Sequence, residues 1–300
     1  MSRRFSITRW PSTGSHRSFL RPFFRASAFT LVELLVVVAV IAILAALLLP
    51  SLIAAKMQAA RVQCVSNERQ MLVAWTIYSG DNDDRLVING GDMSPISVQP
   101  HLWVYGGAHG SNDSLTNDLY LTGANYALFA YTGVQPSGHL YKCPGDNSTW
   151  PLWSTIPGAP SSSYVTESRS YALNAYMGTV LPYDIAPVTL NAAYKVYLKA
   201  SQIAAESPVN RFVFADVNPA SICTPAFGVD MTQNIWIHYP SDQHRLRGAL
   251  VFADGHVEVH RWLDARTMVH LGSGTSLSHT NRSPNNPDLA WLCSKTTSLK

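Results

Sequence analysis

Residues 28–50 read AFTLVELLVVVAVIAILAALLLP, and the reading of this run decides how the rest of the chain is arranged. Between Phe29 and Leu49 the only charged side chain is Glu33. About twenty apolar residues, at about 1.5 Å each in a helix, match the roughly 30 Å hydrocarbon core of a bilayer. Residues 29–50 are therefore expected to form one membrane-spanning helix. Glu33 is the exception that carries information. A carboxylate near the end of a membrane helix is costly and is normally paired, so its expected partner is a cation presented inside the membrane.

Upstream, residues 1–28 contain Arg3, Arg4, Arg9, Arg17, Arg21 and Arg25 and no acidic residue. By the positive-inside rule this basic leader stays in the cytoplasm and the C-terminal body lies on the other side, in a single-pass arrangement at the inner membrane. The formal net charge of +3 comes from the leader, and the remainder of the chain carries −3. No basic surface is left to attract nucleic acid, which excludes that class of partner. An uncleaved signal anchor is an alternative reading of the same stretch. A secretory signal peptide is another, with small residues at Ala54 and Ala55, although its apolar region is ordinarily only 7–15 residues long.

Downstream, residues 51–80 continue with helical periodicity. Ile53, Met57, Ala60, Cys64, Met71, Trp75 and Tyr78 recur at steps of three, four or seven, and Lys56, Arg61, Glu68 and Arg69 are read as lying off that stripe. This predicts an amphipathic stem helix packed on a folded body, with Pro50 marking a kink or local unwinding. Ser79-Gly80-Asp81-Asn82-Asp83-Asp84 supplies the turn chemistry that ends it. Its carboxylates read as a solvated turn, since the glycine and glutamate of a calcium-binding EF-hand loop are missing.

The body, residues 81–300, reads as loop-rich with short strands. Charged residues make up 14% of the whole chain, against about 25% in a typical domain. From Asp92 to Ser163, Gly, Pro, Ser, Asn and aromatics dominate. Arg211–Asp216 and Gly248–Ala253 are β-type runs, and the sequence Val-Phe-Ala-Asp occurs in both places, at residues 213–216 and 251–254. The second leads through Asp254-Gly255 into His256–Trp262, which predicts a hairpin with a type I′ turn. Val257 and Val259 would face one way, and His256, Glu258 and His260 the other. The fold class that follows is α+β: a long N-terminal helix, then a loop-rich antiparallel β body.

The block Ala28-Phe29-Thr30-Leu31-Val32-Glu33-Leu34-Leu35, followed by the apolar run and Pro50, resembles the N-terminal motif of type IV prepilins and type II secretion pseudopilins. The resemblance implies cleavage between Ala28 and Phe29 by a prepilin peptidase, then N-methylation of Phe29 by the same class of enzyme. It implies that Glu33 pairs with the new terminal amine of a neighbouring pilin-like subunit as a filament or pseudopilus is built in the lipid bilayer. The chain departs from the family in having Ala28 where Gly is usual. A second resemblance rests on His244, nine intervening residues and Asp254-Gly255, an H-X9-DG element (residues 244–255) like that of prepilin-like proteins of planctomycete-type bacteria. Cys64–Gln70, Cys143-Pro144 and Pro284–Trp291 are similar to other segments of that group. The four parts expected are thus a leader (1–28), a membrane helix (29–50), a stem helix (51–80) and a pilin-like body (81–300).

Four cysteines, Cys64, Cys143, Cys223 and Cys293, lie on the side of the membrane where disulfides persist, and four allow three pairings. Cys64 with Cys143 is favoured because it would pin body to stem, with free buried thiols as the alternative. No cofactor and no metal site is assigned. His238, His244, His256, His260 and His270 cluster in the last third, yet His256 and His260 are about 13 Å apart along a strand, too far to share an ion without a bend. Asp216, His244 and Asp254 form a candidate set if the two Val-Phe-Ala-Asp runs are neighbouring strands. No G-x-S-x-G motif or phosphate loop occurs, and Ser241, Asp242 and His244 do not make a triad by proximity alone. The sequence therefore reads as a self-assembling structural subunit rather than an enzyme. A membrane-tethered binding protein or metal-dependent enzyme is the alternative.

Overall fold

A computed structural model describes residues 30–90, 102–104, 121, 127–132, 138–151, 164–179, 190–272 and 274–300. The leader, Ala28, Phe29 and large parts of 92–163 lie outside the described residues. The chain divides into two units at Ser51/Leu52, and each is taken by itself. It is α+β: a long apolar N-terminal helix, α1 (Leu31–Asp81), followed by a β-rich body.

In the first unit α1 presents apolar side chains outward all round, Leu31, Val38, Ile43 and Leu47 among them. A helix apolar on every side has no polar face to turn to water, so it must be buried in lipid or protein. Pro50 was expected to mark a kink or local unwinding; the helix is not interrupted there, since residues on both sides of it are helical. Proline removes one hydrogen bond and leaves the neighbouring turns free to close.

In the second unit a five-stranded sheet has the order β5-β3-β4-β7-β8. Its strands are β3 (Tyr171–Asn174), β4 (Phe212–Asp216), β5 (Ala226–Phe227), β7 (Arg247–Phe252) and β8 (Val257–Arg261). All neighbours are antiparallel except β3 with β5, which are parallel. Two further two-stranded pairs lie outside it: β1 (Thr149–Pro151) with β2 (Tyr164–Thr166), and β6 (Ile235–Trp236) with β9 (Asn281–Arg282).

The alternation of side chains sorts the sheet into two cores. Leu173 and Val251 point to one face, where Cys64, Met71, Trp75 and Tyr78 of α1 pack on them. Ala172, Leu250 and Phe252 point to the other, against Leu289 and Leu292 of the C-terminal helix. On β4 the phase changes: Phe212 and Ala215 share one face and Val213 and Phe214 the other. A register shift between Phe212 and Phe214 is the cause, since a bulge inserts one residue and flips the period-2 pattern.

Two expectations are corrected here. Glu68 was placed off the helix stripe, yet it is fully buried. The steps from Cys64 to Glu68 to Met71 are four and three, so Glu68 occupies the centre of the buried face, and only its charge argued otherwise. Of the upper stripe, Ile53 and Met57 are exposed. The hairpin turn also differs from type I′: Gly255 has φ +101°, whereas Asp254 is not among the positive-φ residues. Gly255 N–H donates to Phe252 O and Phe252 N–H to His256 O, the pattern of a three-residue loop in which glycine forms the bulge.

The C-terminal helix, α3 (Pro287–Thr296), follows the short α2 (Ala200–Ala204). Asn286 caps it by accepting the N–H groups of Asp288 and Leu289, and Pro287 stands at the first helical position. Buried Asp288 accepts the N–H groups of Leu263 and Asp264 and the hydroxyl of Thr267 at 2.7–3.0 Å. Cap and clamp together tie α3 to the segment that leaves β8. Gly178 serves a different junction, at φ +71°, where an added Cβ would lie 2.0 Å from the Val87 carbonyl oxygen.

Candidate functional site

Thr30 and Glu33 hold the start of α1. The Glu33 carboxylate accepts the N–H of Thr30 and its hydroxyl, both at 2.8 Å, while the Thr30 hydroxyl accepts the N–H of Glu33 at 3.2 Å. This is a capping box, in which the N-cap residue and the third helical residue satisfy one another's backbone groups. Hydrogen bonding to the Glu33 carboxylate is thus supplied locally by Thr30, with no cation beside it among the described residues. The S/T-x-x-E spacing was present in the sequence as a signal for this box.

The buried face of α1 carries a second group of polar residues. Cys64 and Cys143 are disulfide-bonded, with their Cα atoms 5.1 Å apart. His244 Nε2 lies 3.2 Å from each of the two sulfurs and 3.6 Å from Asp216 Oδ2. Glu68 is one turn along α1 from Cys64. Neither Glu68 oxygen, nor Asp216 Oδ2, has a hydrogen-bond partner among the described residues. Burial, and then the charge of Asp216, pushes the Glu68 carboxyl well above the usual carboxylate range. Burial likewise raises Asp216, with Asp146 adding to the effect, and burial together with Arg61 lowers His244.

His244 and Asp216 thus come together, whereas Asp254 does not join them. Ala215 of β4 faces Leu250 of β7 in antiparallel register, so Asp216 sits near the start of β7 and Asp254 beyond its end. At about 3.3 Å per residue these two carboxylates are some 15 Å apart along the strand. Asp254 pairs instead with His256 Nδ1 at 2.6 Å. The nine residues between His244 and Asp254 therefore measure one strand and its turn, with His244 in the core at one end and the Asp-Gly turn in solvent at the other.

The remaining histidines have local roles. His260 Nδ1 lies 3.0 Å from Glu258 and its ring stacks on Trp291 at 3.7 Å, and His270 Nδ1 lies 3.3 Å from Asp242. His238 joins a group that the sequence reading missed because its members are far apart in the chain. Cys223 Sγ lies 3.3 Å from His238 Nε2 and 3.6 Å from His279 Nε2. His279 donates from Nδ1 to the Ile237 carbonyl, which leaves its Nε2 a lone pair, but His238 Nδ1 accepts the N–H of Gly228 at 2.8 Å. A neutral His238 ring then keeps its proton on Nε2, facing the sulfur, so a metal bound at that atom must first displace it.

A family model described as the prokaryotic N-terminal methylation motif matches residues 24–49. The chain carries a prepilin-type N-terminal motif. The match covers the start of α1 and ends at Leu49, so the prepilin-like reading extends to that segment, with the body outside it. No curated protein and no solved structure matches the chain. The most apolar window of α1 has a mean hydropathy of 3.1 and none of its residues is buried, which is compatible with a single-pass membrane anchor.

Proposed function

We propose that this protein is a pilin-like structural subunit, cleaved between Ala28 and Phe29 by a prepilin peptidase, N-methylated at Phe29, and assembled through α1 into a filament or secretion pseudopilus. The observation that carries this reading is the methylation motif over residues 24–49, set on a helix whose apolar surface is exposed all round. Such a surface is stable in lipid and, after extraction, only against other helices of the same kind. Glu33 supplies the charge for register. Its hydrogen bonds to Thr30 leave a full negative charge in hydrocarbon, and the terminal amine of a neighbour is the complementary cation. The body lies outside the cytoplasm, at the inner membrane, because six arginines precede the helix. The partners are the peptidase, other pilin-like subunits and the bilayer, and the role is structural rather than catalytic.

The test is the N-terminal residue and mass of the protein isolated from membranes of cells that contain a prepilin peptidase. N-methyl-phenylalanine at Phe29 is the expected result. An intact Met1 or Ser2 terminus would overturn the processing step and favour a permanently tethered body. That second reading draws on the separate core of residues 52–300, which has two histidine–sulfur groups of its own among the described residues, one buried and one partly so.

A further inference from the structure

We propose that Cys64, Cys143, His244 and Asp216 form a tetrahedral site for a zinc-class divalent ion in the dithiol form of the protein, and that the disulfide is the metal-free state of the same centre. The donors converge from three separate parts of the chain. Cys64 comes from α1, Cys143 from the turn after residues 138–141, and His244 and Asp216 from the β4–β7 end of the sheet. The three atoms Cys64 Sγ, Cys143 Sγ and His244 Nε2 lie within 4.8 Å of one another. Zinc bonds of about 2.3 Å to sulfur and 2.0 Å to nitrogen place such donors about 3.5 Å apart, and both Nε2–Sγ separations are 3.2 Å. The sulfurs must separate and the Asp216 carboxylate must turn toward them, while the two cysteine backbones, with Cα atoms 5.1 Å apart, need not approach further.

Two independent observations point to a cation. Asp216 Oδ2 is buried, has no hydrogen-bond partner among the described residues and stands 3.6 Å from the ligating nitrogen, outside the trio of donors that lie within 4.8 Å of one another but close enough to turn in as a fourth ligand. Glu68 places a second buried carboxyl beside it with both oxygens unsatisfied. Polar groups so deep in a core ordinarily have partners, and a dication would supply Asp216 with one and offset the neighbouring Glu68 carboxyl through space. His244 also differs from His238 in the relevant way. No described group donates to its Nδ1, so Nε2 is free to hold the lone pair. Gly145 makes room for the ring, since a Cβ there would stand 3.0 Å from His244 Cε1.

The two states interconvert by thiol–disulfide exchange with a small-molecule disulfide. The metal dithiolate reduces the external disulfide by two electrons, Cys64 and Cys143 join, two protons are taken up by the departing thiols, and the divalent ion leaves. The reverse direction consumes two external thiols and the divalent ion, and returns the external disulfide and two protons.

The experiment uses the full chain in detergent, purified anaerobically with its thiols reduced, and cobalt(II) as the probe. One equivalent of cobalt with thiolate-to-metal charge-transfer absorption and tetrahedral ligand-field bands is expected, released on addition of glutathione disulfide. Cys64→Ser should abolish the charge-transfer bands from this centre, and Asp216→Asn should weaken binding by at least 10-fold. Cys223→Ser should leave the spectrum unchanged. Absence of cobalt binding by reduced parent protein overturns the proposal without reference to any variant. So does a spectrum that survives oxidation by glutathione disulfide, or one lost in Cys223→Ser and kept in Cys64→Ser.

Discussion

Cys64 on α1 and Cys143 on the body are joined across 79 residues of sequence. A bridge that closes so long a loop removes a large part of the unfolded chain's freedom, about 4 kcal/mol in the chain-entropy account. In metal-free buffer, Cys143→Ser should therefore lower the unfolding free energy of residues 52–300 by about that amount, read from denaturant melts. A midpoint equal to that of the oxidised parent would show that the bridge constrains nothing.

Glu33→Ala should leave membrane insertion intact, because it removes the only charge from the apolar run. It should lower co-purification of differently tagged subunits. Thr30→Val removes the hydroxyl from the capping box and keeps the carboxylate. If charge pairing sets the register, Thr30→Val assembles and Glu33→Ala does not. Equal assembly by Glu33→Ala and parent would rule the pairing out.

Asp288→Ala should open the junction between β8 and α3. It leaves the N–H groups of Leu263 and Asp264 without their acceptor and the buried Thr267 hydroxyl with only Asn286 Oδ1 at 3.5 Å, a loss of about 2–3 kcal/mol. Limited proteolysis is the readout, with cleavage between residues 262 and 270 expected to accelerate while the remainder stays resistant. Unchanged cleavage there would mean that the cap at Asn286 holds α3 unaided.

Acid should loosen the C-terminal edge through Glu206. Burial alone would raise this carboxyl, but the Lys195 ammonium and the hydroxyls of Ser298 and Tyr197 outweigh it and hold the group at about 2. An unfolded glutamate titrates near 4.3. Because the folded value is the lower one, the stabilisation is present above about 4.3 and is lost as pH falls from there through about 2. Hydrogen exchange at the Lys195 and Lys300 amides, which donate to Ser298 and Ala193, should speed up across that window in the parent. In Glu206→Gln the same amides should show no such acid step.

The amino-acid sequence by itself determined the elements whose signal is local. Phe29–Leu49 is apolar at every position but Thr30 and Glu33, and no tertiary contact is needed to make such a run helical or to exclude it from water. The Asp254-Gly255 turn was legible for the same reason, although it closes as a three-residue loop, since Ala253 belongs to it and only Gly255 takes positive φ. The burial of Glu68 was missed because charge was allowed to outweigh its position between Cys64 and Met71. Asp216 with His244 on one side, and Asp254 on the other, were decided only by the tertiary structure. The antiparallel register of β4 and β7 carries Asp216 to His244 and Asp254 to the opposite end, and that register depends on a bulge between Phe212 and Phe214 that local composition does not announce. The convergence of Cys64, Cys143 and His244 has the same origin: these atoms meet because the core closes α1 onto the sheet, and a contact across many tens of residues leaves no trace in local spacing.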